Sequence, residues 1–133
     1  MNYTAVQNEI RKRIVSATSI NPVNDLKIPG EVFDTYQKPF WVEEYIIGGE
    51  MRTMTNHRNS FSSYLIQYNF CCQSGTQMKV PEEKASLVDE VLLDADFMVD
   101  GIHCVVNAIK VSRSETATKN MVSVLLTVEV HFA

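Results

Sequence analysis

Three histidines and three cysteines are the side chains best equipped for chemistry in this chain of 133 residues. His103 and Cys104 are adjacent, and an imidazole facing a thiol would activate a nucleophile. Neighbours on a strand point to opposite faces, however, so this pair cannot form its own dyad. It reads instead as a core cysteine beside a hydrogen-bonded histidine. Cys71 and Cys72 are adjacent and Cys104 stands alone, a spacing that matches neither a zinc site nor a disulfide framework. All three read as reduced thiols packed as small hydrophobes. His57, His103 and His131 could meet at a metal only by folding, because no two of them have ligand spacing. There is no Gly-rich phosphate loop, HExxH, CxxC or GxSxG. The expectation is a protein without catalytic residues, metal or cofactor.

Charge is more informative. The net charge of −4 argues against a protein that wraps nucleic acid, since phosphate binding relies on clustered Lys and Arg. Between residues 82 and 100 lie Glu82, Glu83, Asp89, Glu90, Asp94, Asp96 and Asp100, opposed by Lys84 alone, whereas Arg11-Lys12-Arg13 forms a basic turn near the N-terminus. These are either two solvated helix faces or the halves of a head-to-tail contact between copies. A contact of that heterologous kind, if it closes, makes a ring. The stretch 48–60 carries Arg52, His57 and Arg58 against Glu50, with Met51 and Met54 as adaptable apolar groups.

The elements that must position these groups follow from periodicity. Residues 4–17 have Val6, Ile10 and Ile14 on one helical stripe, with Ala17 close behind. A connector punctuated by Pro22, Pro29, Gly30 and Pro39 leads to an aromatic and β-branched strand over 40–47, half exposed because it contains Glu43 and Glu44. A second strand over 61–72 sets Tyr64, Ile66, Tyr68, Phe70 and Cys72 on one face. Between the two, 48–60 is expected as a long loop or arm, too long for an ordinary hairpin. Pro81 should open a second helix, with Glu82 and Glu83 favourable to its dipole. Leu87, Val91 and Ala95, beside Val88 and Leu92, would seal a sheet. Asp100-Gly101 turns the chain into a closing hairpin, whose first strand, apolar on both faces, should be central. The expectation is one α+β domain over residues 1–133, a mainly antiparallel sheet packed against two helices. No apolar run reaches the roughly 20 residues of a membrane span, and the N-terminus has no apolar signal core.

The order of these segments resembles the tail terminator, or tail-completion, proteins of long-tailed bacteriophages. The resemblance is carried by the helix "AVQNEIRKRIV", the strand "KPFWVEEYI" after a Pro-rich connector, and "SSYLIQYNFCCQSGT". The helix "PEEKASLVDEVLLDADF" and the final "LLTVEVHF" complete it. The turn "SGTQMKVPEEKA" is longer and less Gly-rich than that family's pattern. The resemblance implies a structural virion protein, made in the host cytoplasm, that forms a hexameric ring at the head-proximal end of the tail tube. It would end tube polymerisation and join the tail to the head-completion or connector proteins. DNA would pass through without specific binding, and a mildly acidic wall would repel its phosphates. Interface candidates are Arg11, Lys12, Arg13, Trp41, Tyr45, Met51, Arg52, Met54, His57, Arg58, Glu90 and Asp94, with Tyr36 among the aromatics enriched at such contacts. For Trp41, core packing is an equal reading. Alternatives are a head-closure or neck protein, a tail tube subunit, or a small-molecule-binding or hydrolase-like α+β domain with an enclosed polar pocket.

Overall fold

The computed structural model describes residues 3–46, 51–55 and 59–132. Helix α1 (Tyr3–Thr18) leads through the connector to β1 (Leu26–Lys27), β2 (Trp41–Ile46), β3 (Met51–Thr55) and β4 (Asn59–Gln73). Helix α2 (Lys79–Leu92) follows, then β5 (Asp96–Val99), β6 (Ile102–Glu115) and β7 (Lys119–Phe132). The strands form one seven-stranded sheet in the order β1-β2-β4-β7-β6-β5, with β3 pairing β4 beyond β2. All pairings are antiparallel except the short β1–β2 pair. The α+β class expected from the sequence is what the chain adopts.

Both helices lie on one face. Val6, Ile10 and Ile14 of α1 and Ala85, Val88 and Leu92 of α2 join the alternate residues of β4 and β7 in one core. Tyr64, Ile66, Tyr68, Phe70 and Cys72 are all buried, as are Val122, Val124, Leu126, Val128 and Val130. The period-two pattern therefore reads directly onto the sheet. Asp100 and Gly101, with φ of 49° and 76°, make the two-residue turn between β5 and β6 that an Asp-Gly pair favours.

Four expectations are corrected. The stretch 48–60 is not a long loop: its described residues supply β3 and the start of β4, with Met51 opposite Ser63 and Thr55 opposite Asn59. "MRTMT" lacks a clean apolar alternation, so only the tertiary pairing shows it as a strand. Strand β2 is not half exposed, because Trp41, Val42, Glu43 and Glu44 are all buried. Helix α2 begins at Lys79, two residues before Pro81, and Leu87 and Val91 are 37% and 54% exposed rather than sealing the sheet. Strand β6 is central only in its first part. β5 pairs residues 102–105, and beyond a register irregularity between Val106 and Ala108 the outer side of β6 has no strand partner among the described residues.

Candidate assembly surfaces

The residues singled out for contact with other molecules divide into those the fold consumes and those it leaves on the surface. Arg11 is consumed. Its Nε and Nη2 donate to the two carboxylate oxygens of Glu44, at 2.9 and 2.6 Å. Gln7 Nε2 and the Tyr68 hydroxyl donate to the same carboxylate, at 2.9 and 2.7 Å. The Glu44 side chain is wholly buried. A buried carboxylate persists only when paired and hydrogen-bonded, and here four donors meet it. The hydrogen bond to Glu44 raises the Arg11 pKa further, while burial, reinforced by the Glu44 charge, pushes the Tyr68 phenol well above its ordinary value. The arrangement bolts α1 to β2 and β4.

The rest of the basic turn is split. Arg13 donates to Glu9 at 3.1 Å and lies over the Phe97 ring at 4.5 Å, while Lys12 is exposed. Three consecutive cations point three ways around a helix, so they do not form one basic patch.

Trp41 is in the interior, 2% exposed, and its indole N–H donates to Glu43 at 3.2 Å. Tyr45 is half-buried and its hydroxyl donates to the other Glu43 oxygen, also at 3.2 Å. Lys119 Nζ closes this second cluster with bonds of 2.7 and 3.0 Å to Glu43. Burial pushes the Glu43 carboxyl up, but the Lys119, Trp41 and Tyr45 hydrogen bonds outweigh it and hold the group below its ordinary value. Glu43 and Glu44 thus sit on opposite faces of one strand and serve different locks: α1 to the sheet, and β2 to β7 across β4.

Cys104 lies on the core face, where burial pushes its thiol up to about 11, and Cys71 is pushed up to about 12 by burial and then by Glu43. Neither is a thiolate at neutral pH. His103 turns to the opposite face, where its Nε2 meets Asp96 at 2.5 Å. Its ring lies 5.4 Å from that of His131, directly across the β6–β7 pair, and His131 in turn contacts Glu129. Among the described residues no group of three or more His, Cys, Asp or Glu is placed to hold a metal ion. His57 and Arg58 lie outside the described residues, and Met51, Arg52 and Met54 belong to β3.

What remains on the surface is Lys12 on α1, Tyr36 in the connector, which is 78% exposed, and a larger set around α2 and the distal part of β6. Glu83, Leu87, Glu90 and Val91 are exposed on α2, Asp94 follows its end, and residues 110–118 are exposed throughout. A groove between the helix and β6 is lined by Ala85, Asp89, Glu90, Val111, Arg113 and Val122. Arg113 pairs with Glu82 at 3.0 Å, and Lys84 is turned away to the Thr18 carbonyl at 2.7 Å. Asp89 and Glu90 form no ion pair among the described residues. The sequence signal for this surface was the run of seven acids. The edge itself had no local signal, since which strand lies outermost is a property of the whole topology.

No family model matches this chain, and no curated protein sequence matches it. Solved structures do share its fold. One, designated only by a sequence number, superposes with a TM-score of 0.71 at 16% identity, covering 100% of this chain and 98% of its own. Another is a chain from the virion of a native gene transfer agent particle, with a TM-score of 0.60 at 13% identity, covering 97% of this chain and 93% of its own. At such identities the likeness is one of fold, and it extends from end to end.

Proposed function

We propose that this protein is a structural component of a phage-like virion, acting by assembly rather than catalysis. In the finer form of this reading it is a tail terminator: a ring, hexameric by resemblance, at the head-proximal end of the tail tube. There it would stop tube growth, join the tail to head-completion or connector proteins, and let DNA through. The observation that carries the proposal is the full-length superposition on a chain of a gene transfer agent virion, in which neither chain has a large unmatched segment. The chemistry of the interior agrees with it. The two buried carboxylates are saturated by structural donors, and the Cys71 and Cys104 thiols are held protonated.

The β3–β4 hairpin extends the sheet beyond β2, a feature that also suits a tube subunit. Assembly separates the two. The purified full chain should give discrete rings by negative-stain microscopy, with one multiple of the 15.1 kDa subunit mass by light scattering. Added to polymerising tail tube protein, it should shorten the tubes and sit at one end. Open-ended filaments of the chain alone would make it a tube subunit. A monomer at high concentration that leaves tube length unchanged would overturn the proposal.

A further inference from the structure

The face of the sheet away from the helices carries a group of titratable side chains that neither buried lock uses. His103 of β6 lies directly opposite His131 of β7, with the planes of the two rings inclined by 30° and their centres 5.4 Å apart. Cys104 and Val130, the next residues along each strand, belong to the core, so alternation turns both imidazoles to the other face. Each imidazole meets a carboxylate. His103 Nε2 is 2.5 Å from Asp96 of β5, and His131 Nε2 is 2.6 Å from Glu129. Glu129 is fixed in turn by Asn107, whose Nδ2 donates to its second oxygen at 2.8 Å. Neither carboxylate pairs with Lys or Arg among the described residues. Two imidazoles and two carboxylates thus stand together with no fixed cation among them. The His103 and His131 side chains are 41% and 39% exposed, which leaves them open to a solute.

We propose that His103 and His131 together bind one divalent transition-metal ion of the zinc class, each giving one ring nitrogen. The proposal does not rest on the ring reading above. Folding brings together two of the three histidines that the sequence left apart, and it brings them to a suitable spacing. With zinc–nitrogen bonds of about 2.0–2.1 Å, two imidazoles sharing one tetrahedral ion have their ring centres roughly 5 Å apart. A ligating histidine commonly gives its other ring N–H to a carboxylate, which fixes the tautomer and makes the ligating nitrogen more basic. Asp96 and Glu129 take that part here, and their charges suit a dication. The two ligands sit on paired strands, flanked by β5 beside His103 and β4 beside His131, and strands hold ligands more precisely than loops do. Imidazole nitrogen favours zinc, nickel or copper, whereas magnesium and calcium favour oxygen. Water fills the remaining positions, in keeping with the lack of any larger ligand group among the described residues. An ion held in this way staples β6 to β7.

Zinc binding to the full chain, read by equilibrium dialysis and by melting temperature, tests this. The wild type should bind one ion per chain and melt at a higher temperature in its presence, since an ion that binds only the folded state stabilises it. Removing a carboxylate that orients a ligating histidine typically costs about 10–100-fold in affinity, so Asp96→Asn should weaken binding at least about tenfold. His103→Gln and His131→Gln should each weaken it more and abolish the rise in melting temperature. Melting without zinc checks that each variant is folded; should one histidine variant fail, the other decides. His57→Gln should bind as the wild type does. A wild type that binds no zinc overturns the site, as does binding that survives loss of either histidine or that is lost with His57→Gln. Calcium should leave the melting temperature unchanged. If it stabilised the chain as well as zinc does, the carboxylates alone would be the ligands and the imidazole site would be wrong. The ring reading needs no metal and stands or falls separately.

Discussion

Strand β2 and the distal part of β6 are opposite ends of one sheet and opposite solutions to the same problem. β2 carries two carboxylates yet is buried on both faces through Glu44, every charge being answered within the chain. Distal β6 sets Ile109 and Val111 among Lys110, Arg113, Glu115 and two serines and lies largely exposed, with no strand along its outer side among the described residues. Both strands mix apolar and charged residues, yet one is closed and the other open. Composition along a strand therefore does not tell how far it is buried. What decides is whether partners elsewhere in the chain reach its polar groups. Arg11, Gln7, Tyr68 and Lys119 are committed to β2, and no such set of partners reaches distal β6 among the described residues.

The comparison breaks most readily at Glu44. Replacing Arg11 by Ala should destabilise the fold by about 3–5 kcal/mol, because the Glu44 charge would stay buried with its strongest partner gone. Urea unfolding monitored by Trp41 fluorescence measures this directly. A loss under about 1 kcal/mol would mean that β2 is not held by its charges, and the contrast with β6 would lose its basis. Replacing Glu44 and Arg11 together by Leu and Met should cost much less than either single change, since no unpaired charge is then left inside.

Glu43 tests the same side with a smaller effect. Its partner Lys119 keeps a quarter of its side chain in solvent, so Lys119→Ala should cost about 1–3 kcal/mol. The pH dependence follows from the two shifts. Glu43 is held below its ordinary value, so its contribution is complete above that ordinary value and is lost as pH falls through the depressed one. For Lys119, burial lowers the pKa, but the bond and charge of Glu43 outweigh it and raise the group overall. Its contribution is therefore complete below the ordinary lysine value and is lost as pH rises through the raised one. The wild type should be most stable between these limits. Lys119→Ala should flatten the acid limb of the curve of melting temperature against pH. An unchanged acid limb would show that Glu43 is stabilised by something other than the lysine.

Much of this architecture is legible in the sequence, and the illegible parts share a cause. The stripes Val6-Ile10-Ile14 and Tyr64 to Cys72, and the Asp100-Gly101 turn, follow from rules that act within a few residues, and each occupies the expected place. Glu43 and Glu44 were expected half exposed because their partners, Lys119 and Arg11, lie 76 and 33 residues away. Trp41 and Tyr45, candidates for a contact surface, are drawn in by the same Glu43. Glu90 and Asp94 are where the acidic run implied, on the surface. β3 and the β6 edge depend on strand order, which no local pattern encodes.

The smallest expected effect sharpens the comparison from the open side. Val111→Thr keeps the β-branched shape and the backbone N–H and changes one methyl to a hydroxyl. In a core strand such a change is costly, since the hydroxyl must find a partner. At Val111, half in solvent beside Arg113, it should alter unfolding free energy by no more than about 0.5 kcal/mol. The same substitution at Val124, its buried partner across the β6–β7 pair, should cost about 1–3 kcal/mol. One substitution at two positions facing each other in the sheet thus measures where the interior ends. If Val111→Thr were as damaging as Val124→Thr, the distal part of β6 would be interior already in the isolated chain. The contrast between a closed β2 and an open β6 would then be lost.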